Sequence, residues 1–256
     1  MLDECCKVLS HQDIGSGYRY LIVAAPQMSA ELAPGQFVHV RVPALEESAL
    51  RRPFSVFDAA DGTVSILYKT VGRGTTALNR VAEGDRIDIL GPLGHGFPGK
   101  CEGTALLVGG GYGVAPLHFL AKRLPGRKIL FVGGRTKSDL LAIDRFGLIP
   151  GVELKLATND GTEGVKGFVT VPLDETIAEL RAKGEKFELF TCGPDGLLKA
   201  VTERALACGV PGWISCDRHM ICGVGACYAC IQKTVRGNSR CCIEGPVFAA
   251  KDLIWE

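Results

Sequence analysis

The feature that most constrains this chain is a group of closely spaced cysteines near its carboxyl end. The chain has 256 residues and 11 cysteines, and five of those cysteines lie between residues 222 and 242. A secreted protein held together by disulfides would be shorter and would carry a signal peptide, whereas the acidic first stretch MLDECCKVLSHQD lacks the apolar segment of one. The cysteines therefore indicate a metal or metal-cluster site.

The spacing of these cysteines selects among the possible metal groups. Cys222, Cys227 and Cys230 are separated by four and then two residues, and Cys242 follows after eleven more. This C-x4-C-x2-C…C pattern is that of plant-type 2Fe–2S sites, and thiolates are soft ligands that suit iron and sulfide. The glycines in CGVGAC would allow the loop to wrap closely around a cluster. We therefore predict that these four cysteines hold a 2Fe–2S cluster.

Two alternatives stay open when the residues are considered alone. Structural zinc sites commonly use paired C-x2-C units, and the unequal spacing here disfavours zinc without excluding it. The fourth ligand is also open, because Cys241 and Cys242 are adjacent and Cys216 could reach the same region.

The composition is that of a globular protein in a reducing compartment. The chain is 46% hydrophobic and 22% charged, with a formal net charge of +1. A nearly neutral chain has no electrostatic footprint for nucleic acid, and no apolar run approaches the length of a bilayer span. We therefore expect a cytoplasmic protein, where thiols stay reduced, with neither a nucleic-acid nor a membrane partner.

The residue pattern changes near residue 100 and again near residue 210. Residues 1–99 contain short runs of β-branched and aromatic residues between turn signals, which predict a closed antiparallel barrel or a sandwich. Residues 100–210 alternate apolar strands with amphipathic helices, which predict a parallel-sheet α/β domain. Residues 211–256 are expected to form a small cysteine-rich domain. The expected fold class is therefore multidomain, β followed by α/β.

A possible phosphate-binding pattern lies in the first of these segments. The stretch RRPFS is expected at the end of a barrel strand, and its Arg52 offers a planar, permanently charged group for phosphate oxygens. Further on, VGRGTTALN supplies glycines before a helix start expected at Thr75, where free backbone N–H groups suit a pyrophosphate. Taken alone, each motif could equally be a solvated charge or a simple turn.

Together and in this order, the motifs resemble the FAD-binding barrel of the ferredoxin–NADP reductase superfamily. Its R-x-[FY]-[ST] motif is matched by residues 52–55, and the later stretch LYK would line the flavin ring and the ribityl chain. The resemblance implies that FAD is bound in an antiparallel β-barrel. The residues that it implies for FAD are Arg52, Pro53, Phe54, Ser55, Leu67, Tyr68, Lys69, Gly74 and Thr75.

A second nucleotide-binding pattern begins the α/β segment. The stretch LLVGGGYGVAPL predicts a strand, a glycine turn and a helix start, with Pro116 where the dinucleotide fingerprint has a third glycine. That departure is typical of the same superfamily, in which a Cys-Gly-Pro like residues 192–194 lies beside the nicotinamide. The resemblance implies that Cys192 is a catalytic residue near the hydride path. The dinucleotide-binding residues that it implies are Gly109, Gly111, Gly113, Gly193 and Pro194.

Two cations follow the second strand of the α/β segment. Arg135 and Lys137 either meet a 2′-phosphate or are solvated, which leaves NAD and NADP both open.

The order of barrel, nucleotide domain and cysteine-rich end resembles the electron-transfer subunits of bacterial dihydroorotate dehydrogenase B. The segments CGVGACYAC and CCIEGPVF carry this resemblance. In that family two residues separate the fourth ligand from a Gly-Pro-Val-Phe, which implies Cys242 rather than Cys241. Related small subunits of NAD(P)H:ferredoxin oxidoreductases and sulfide dehydrogenases share the layout, and some of them replace one cysteine ligand by aspartate.

The resemblance implies a relay of electrons. NAD(H) would exchange a hydride with FAD, and the 2Fe–2S cluster would carry single electrons to a partner subunit that contains FMN and oxidises dihydroorotate in pyrimidine biosynthesis. A heterotetramer with two copies of each subunit is also implied. The alternatives are a small subunit of an NAD(P)H:ferredoxin oxidoreductase or sulfide dehydrogenase, a stand-alone oxygenase reductase, and a zinc-stapled nucleotide-sensing protein that is not an enzyme.

Overall fold

The structure is a computed structural model of the chain that describes residues 1–43 and 50–255. Its strands are β1 (Leu2–Asp13), β2 (Tyr18–Ala24), β3 (Phe37–Val40), β4 (Arg52–Ala60), β5 (Thr63–Lys69), β6 (Arg86–Leu93), β7 (Thr104–Gly110), β8 (Lys128–Gly134), β9 (Val152–Thr158), β10 (Val165–Lys166), β11 (Phe187–Cys192), β12 (Gly212–Ser215), β13 (Ile231–Thr234), β14 (Gly237–Arg240) and β15 (Val247–Ala249). Its helices are α1 (Pro26–Glu31), α2 (Arg73–Leu78), α3 (Val114–Arg123), α4 (Ile143–Gly147), α5 (Thr170–Ala182) and α6 (Asp195–Cys208). Within the described ranges, no helix combines the length and the apolar character needed to cross a membrane.

The N-terminal part closes into an antiparallel barrel with strand order β1-β2-β5-β4-β3-β6. Because side chains alternate between the two faces of a strand, Val38 and Val40 of β3 point into the barrel interior. The residues of β3 that face outward, Phe37 and His39, are buried as well. They are buried because the C-terminal part of the chain covers the outer face of this strand. The barrel expected for the N-terminal segment is thus confirmed.

Two local expectations about the barrel are wrong. The stretch RRPFS does not end a strand but begins one, since β4 starts at Arg52 and runs on to Ala60. Strand β3 pairs antiparallel with β4 from this residue onward, so the chain has already reversed before it. Helix α2 begins at Arg73 rather than at Thr75, because the Thr75 side chain lies in the first helical turn and caps the backbone before it.

The rest of the chain builds a sheet with strand order β10-β9-β8-β7-β11-β12-β15. Neighbouring strands from β10 to β12 run parallel, and β15 joins the edge antiparallel. Central strands such as β7 are continuous apolar runs because both of their faces are buried. The α/β unit expected from the sequence is therefore confirmed. The strand order reverses at β7, and the carboxyl end of such a strand is where ligands bind in open α/β sheets.

The cysteine-rich end of the chain does not stand apart from this sheet. Strands β12 and β15 come from residues 211–256 and form one edge of the sheet, while β13 and β14 make a separate hairpin. Cys230, Cys242 and Phe248 lie in the same hydrophobic core as Leu189 of β11. The boundary predicted near residue 210 thus falls within a continuous sheet.

Helix α3 fixes the barrel against the sheet. The ring of His118 stacks on the ring of Phe57 in β4 with centroids 3.9 Å apart, and its Nδ1 lies 3.1 Å from the Phe57 carbonyl oxygen. One turn later, Lys122 forms an ion pair with Asp58. Burial lowers the pKa of His118 to about 4, so the stacked ring is neutral near pH 7. These contacts give the two halves one defined orientation.

Replacing Phe131 by alanine is expected to destabilise the protein strongly. Phe131 lies in β8 and is fully buried in the core of the sheet. Removing a buried phenyl group costs about 3–5 kcal/mol through lost contacts and the cavity left behind. The measurement is the free energy of unfolding from a denaturant titration. In the control variant Phe168→Ala, the ring removed is 71% exposed, and we expect a change below about 0.5 kcal/mol. Equal losses in the two variants would contradict this account of the core.

Candidate cofactor sites

An opening in the barrel wall brings the predicted flavin residues together. Residues 56–60 of β4 pair with residues 63–66 of β5, but residues 52–55 pair instead with β3, where Ser55 lies opposite Phe37. Residues 67–69 pair with β2. In the described part of the chain no backbone pairing joins residues 52–55 to residues 67–69, so the two segments flank a gap between the strands.

Arg52 and Gly74 lie at one end of this opening. A Cβ atom on Gly74 would stand 2.5 Å from Nε of Arg52, so a side chain at this position would displace the guanidinium from the start of α2. The Arg52 Nη1 donates a hydrogen bond of 2.7 Å to the Leu50 carbonyl oxygen, which orients the group. The Thr75 hydroxyl accepts from the Val71 N–H at 2.9 Å and so holds the turn before the helix. A fixed guanidinium beside an open turn fits the phosphates of FAD.

The side chains around the opening face different surroundings. Phe54 and Tyr68 point into the barrel with ring centroids 5.4 Å apart, and burial raises the pKa of Tyr68 to about 12. Leu67 packs outside the barrel in the core shared with the sheet. The Nζ of Lys69 lies 4.8 Å from the centroid of the Tyr18 ring. The Tyr68 ring is therefore engaged within the barrel, and the backbone of residues 67–69 is what borders the opening.

The carboxyl ends of β7 and β11 meet through glycines. A Cβ atom on Gly113 would stand 2.5 Å from the Cys192 carbonyl oxygen, so the two turns can approach this closely only without a side chain there. Gly193 has a φ of +156°, a conformation that residues with a side chain rarely adopt. The predicted dinucleotide residues gathered at this junction are Gly109, Gly111, Gly113, Cys192, Gly193 and Pro194.

Cys192 is a buried thiol at the centre of the junction. It lies between Gly109 of β7 and Ser215 of β12 in the sheet. Burial, together with the nearby Asp217 carboxylate, raises the pKa of Cys192 to about 12. The thiol therefore stays protonated near neutral pH, which suits a neutral neighbour of a hydride path and not a nucleophile.

Both cations considered for a 2′-phosphate are already paired with carboxylates. The Nε of Arg135 lies 3.2 Å from Oδ2 of Asp139, and the Nζ of Lys137 lies 2.9 Å from Oε2 of Glu163. These residues follow β8, the strand beside β7 at which a dinucleotide-binding sheet recognises the adenosine ribose. A 2′-phosphate here would meet two carboxylates, which favours NAD over NADP.

The four predicted cluster cysteines lie as two neighbouring pairs. The Cys227 N–H donates to Sγ of Cys222 at 3.4 Å, and the Cys242 N–H donates to Sγ of Cys230 at 3.4 Å. Among the described residues, no three His, Cys, Asp or Glu side chains converge as ligands of a single metal ion. Two pairs of thiols suit a group of two irons, each of which takes two thiolates, better than they suit one tetrahedral zinc.

The surroundings of Cys222 favour its thiolate form. Burial acts to raise its pKa, but hydrogen bonds from the N–H groups of Val224, Cys227 and Ala226 outweigh burial and lower the pKa to about 6. The loop thus stabilises a thiolate before any metal is bound, and a thiolate is the form of cysteine that coordinates metals.

Cys242 and Cys241 differ in their neighbours. Cys242 interacts electrostatically with Cys230 and Cys222, which are two of the other predicted ligands, and burial raises its pKa to about 12. Cys241 interacts most strongly with Cys216, a buried core residue, and next with Cys230, but Cys222 is not among the groups that most affect it; burial raises the pKa of Cys241 well above its usual value. This placement supports Cys242 as the fourth ligand, which stays a prediction.

Arg240 connects the cluster loop (residues 222–230) to the turn after β14 (residues 241–244). Arg240 donates to the Gly225 carbonyl oxygen at 3.0 Å and forms an ion pair of 2.7 Å with Glu244. Its guanidinium lies 5.0 Å from the centroid of the Tyr228 ring. Gly225 has a φ of +79°, and a Cβ atom there would stand 2.6 Å from Cγ1 of Ile243. These contacts hold the loop with three of the cysteines against the turn with the fourth.

Two contacts between distant segments join the three sites. The Tyr112 hydroxyl in the dinucleotide turn donates to Oδ2 of Asp217, at the start of the cluster segment, at 3.3 Å. His39, opposite Pro53 of the flavin strand, lies against Gly223 of the cluster loop. The partners in each contact are more than 100 residues apart along the chain. No local motif could therefore have indicated them.

Comparison with known proteins gives consistent matches along the chain. Family models match for an oxidoreductase FAD-binding domain at residues 5–97 and for the iron–sulfur cluster binding domain of dihydroorotate dehydrogenase B at residues 217–254. The electron transfer subunit of dihydroorotate dehydrogenase B (NAD(+)) from Fusobacterium nucleatum is 40% identical over 230 residues, which cover 86% of each chain. The same subunit from Desulforamulus reducens is 35% identical over 260 residues, 98% of this chain and 97% of that one. A solved chain of an NADH-dependent reduced ferredoxin–NADP oxidoreductase is 32% identical with a TM-score of 0.87, covering 98% of this chain and 90% of its own.

Replacing Gly113 by alanine is expected to impair use of the dinucleotide. The new Cβ atom would stand 2.5 Å from the Cys192 carbonyl oxygen and push the two turns apart. Misplacement of this size in a binding turn lowers kcat/KM for NADH by about tenfold to a hundredfold. The measurement is steady-state reduction of an artificial acceptor by NADH. Gly147→Ala serves as control because open space surrounds that glycine. An unchanged kcat/KM in Gly113→Ala would contradict the close approach.

Removing the two carboxylates beside Arg135 and Lys137 is expected to relax the preference for NADH. In the double variant Asp139→Asn, Glu163→Gln, both cations become free to meet a 2′-phosphate, and the ratio of kcat/KM for NADPH to that for NADH should rise about tenfold, or about 1.4 kcal/mol. The control Glu153→Gln removes one negative charge, from a carboxylate at the start of β9 that pairs with Arg127 at 3.4 Å, and should leave the ratio unchanged. A ratio that responds equally in both variants would refute the assignment.

Proposed function

The chain belongs to the family of dihydroorotate dehydrogenase B electron-transfer subunits, and on that premise we propose that it carries electrons between NAD(H) and a partner subunit that contains FMN and acts on dihydroorotate. Its cofactors are FAD in the N-terminal barrel and an iron–sulfur cluster at the C-terminal end. The chain is thus an oxidoreductase subunit of pyrimidine biosynthesis.

One observation supports this relay most directly: the flavin strand, the dinucleotide turn and the cluster loop come together on one side of the molecule. Gly113 of the dinucleotide turn touches the backbone at Cys192. The same turn is hydrogen-bonded to the cluster segment through Tyr112, and the cluster loop rests on His39 beside the flavin strand. Three segments of distant sequence thus converge where hydride and electron transfer require short distances.

The side chains and backbone of this chain would bind and orient the cofactors and the dinucleotide, and would not themselves react. FAD and the cluster supply, when bound, the conversion between a two-electron hydride and single electrons. Arg52 would hold the flavin phosphates, and the glycine turn at 109–113 would hold those of the dinucleotide. Cys192 would border the nicotinamide as a protonated thiol that does not compete as a nucleophile. Cys222, Cys227, Cys230 and Cys242 would hold the iron.

The surface around the cluster loop supports docking of a partner. Cys227 is exposed, and three apolar residues of the same loop region are exposed by 42–62%, namely Ile221, Val224 and Tyr228. A group of exposed apolar residues marks an interaction site. The partner would therefore receive electrons where the cluster comes nearest to the surface. We further propose a heterotetramer with two copies of each subunit, located in the cytoplasm and without a nucleic-acid or membrane partner.

A second candidate function follows from the likeness to the solved NADH-dependent reduced ferredoxin–NADP oxidoreductase chain. Under this hypothesis, the chain would pass electrons to or from a ferredoxin-linked partner instead of a partner that oxidises dihydroorotate. Cysteine at all four predicted ligand positions favours the dihydroorotate system, since some of the related subunits carry aspartate at one of them.

The decisive experiment is to purify the native chain without oxygen and to analyse it alone and with its partner. We expect FAD, two irons and two acid-labile sulfides per chain, and reduction of ferricyanide by NADH. Oxidation of dihydroorotate should require the FMN-containing partner. Dihydroorotate turnover by the pure chain, or zinc without flavin, would refute the proposal. Co-purification with a ferredoxin-dependent, FMN-free partner would select the second candidate.

Replacing Cys242 by alanine is expected to remove or cripple the cluster, because it deletes one of the two thiols on the Cys230 side of the site. Iron content should fall well below that of the wild type, and the electron paramagnetic resonance (EPR) signal of the reduced cluster should be lost. Cys241→Ala is the matched control, since that adjacent thiol interacts with Cys216 in the core and should leave iron content unchanged. Loss of iron in Cys241→Ala with retention in Cys242→Ala would reverse the assignment.

A further inference from the structure

We propose that His39 is a positioning residue for the cluster, donating a hydrogen bond from its ring to a sulfur atom held by the 222–230 loop, and that this bond raises the reduction potential of the cluster. The inference rests on the proposed function, because it requires a 2Fe–2S cluster on this loop. It concerns a residue that none of the sequence motifs includes.

The position of His39 is unusual for its strand. Val38 and Val40 occupy the inner face of β3, so the His39 side chain lies on the outer face of the barrel. It is nevertheless only 1% exposed. Across the strand pair it lies opposite Pro53, within the R-x-[FY]-[ST] motif. His39 therefore lies between the flavin strand and the segment that covers it.

That segment is the cluster loop, and the contact is direct. A Cβ atom on Gly223 would stand 2.6 Å from Cε1 and 2.8 Å from Nε2 of His39. Gly223, with a φ of +69°, is the residue that follows the predicted ligand Cys222. The imidazole thus packs edge-on against the backbone of the loop, at a place where any side chain would push it away.

Both ring nitrogens of His39 lie beside the loop, at 2.8 Å (Nε2) and 2.9 Å (Nδ1) from a Cβ atom on Gly223, and Nε2 is a buried polar atom without a partner among the described residues. Nε2 of His39 makes no hydrogen bond to any described residue and is inaccessible to solvent. The other buried histidine, His118, has its Nδ1 bonded to a backbone carbonyl, and both ring nitrogens of His11 are bonded. Buried polar groups in native proteins are almost always satisfied, so an acceptor that is not among the described residues is expected at this place.

The protonation state of the His39 ring suits a hydrogen-bond donor to sulfur. Arg51 is the charged group that acts on it, and burial together with that cation lowers the pKa of His39 to about 4. The imidazole is therefore neutral at physiological pH and carries one N–H. With that proton on Nε2, the ring donates toward the loop, where thiolate and sulfide are acceptors with excess negative charge.

The expected consequence is a shift in the reduction potential. Hydrogen bonds to the sulfur atoms of an iron–sulfur cluster tune its potential, and they stabilise the reduced form because it is the more negative one. Without the donor, we expect the equilibrium constant for passing an electron from the flavin to the cluster to fall about tenfold, which is about 59 mV for a one-electron couple.

The test is a redox titration of the holoprotein, followed by EPR of the reduced cluster. His39→Phe keeps a ring against Gly223 but removes the donor. The reduction potential of the cluster in this variant should become about 59 mV more negative. His39→Gln retains an N–H donor of similar reach and should recover most of the wild-type value. His118→Phe is the control, because it removes a buried histidine that contacts Phe57 instead of the loop. A fully iron-loaded His39→Phe protein with the wild-type potential would overturn the inference.

A second measurement needs no stable Phe variant. Pulsed EPR of wild-type protein labelled with ¹⁵N-histidine should show a weak nitrogen coupling to the reduced cluster, and the coupling should be absent in labelled His39→Gln. No coupling in an iron-loaded wild-type protein would also overturn the inference. A wild-type chain without iron would instead refute the proposed function, so the two failures are distinct.

Discussion

Close backbone contact through glycine is the constraint on which the rest of the structure depends. Two of these contacts, each with no room for a Cβ atom, join distant parts of the chain at the predicted sites: Gly113 against the Cys192 carbonyl, and Gly223 against the His39 ring. The first contact joins the dinucleotide turn to the next strand of the sheet. The second lays the cluster loop on the barrel. If either contact were opened by a side chain, the three sites would move apart, and the transfer of hydride or electrons between them would slow.

Burial sets the charge of the groups around these contacts. Cys192 and His39 are both neutral near pH 7, because burial disfavours the charged form of a thiol and of an imidazole alike. Among the described cysteines whose pKa is shifted, Cys222 is the one whose pKa is lowered, because backbone N–H groups donate to its sulfur. The thiol whose charged form is favoured is therefore a predicted cluster ligand, whereas the thiol beside the expected path of the hydride stays protonated.

The barrel and the parallel sheet could be predicted from the sequence, because each is determined by a local periodicity. Strands such as β7 are uninterrupted apolar runs, and helix α3 has apolar residues at helical spacing. Local errors arose where a feature depended on pairing. Arg52 begins β4 because it lies opposite Val40 of β3, and no property of RRPFS specifies that partner. The sequence also did not predict that β12 and β15 belong to the edge of the sheet. Each strand is short, and the two strands that pair lie far apart in the sequence.

By itself, the amino-acid sequence determined the chemistry that this protein can hold. The cysteine spacing selects iron and sulfide, while the glycine turns and Arg52 select phosphate-bearing cofactors, because these preferences depend on residue types at short separations along the chain. Only the tertiary structure decided which groups meet. It paired Arg135 with Asp139 and Lys137 with Glu163, turned the Tyr68 ring into the barrel, and set His39 beneath the cluster loop. Contacts of this kind depend on how strands pair and layers pack over long separations, and the spacing of residues along the chain carries no record of them.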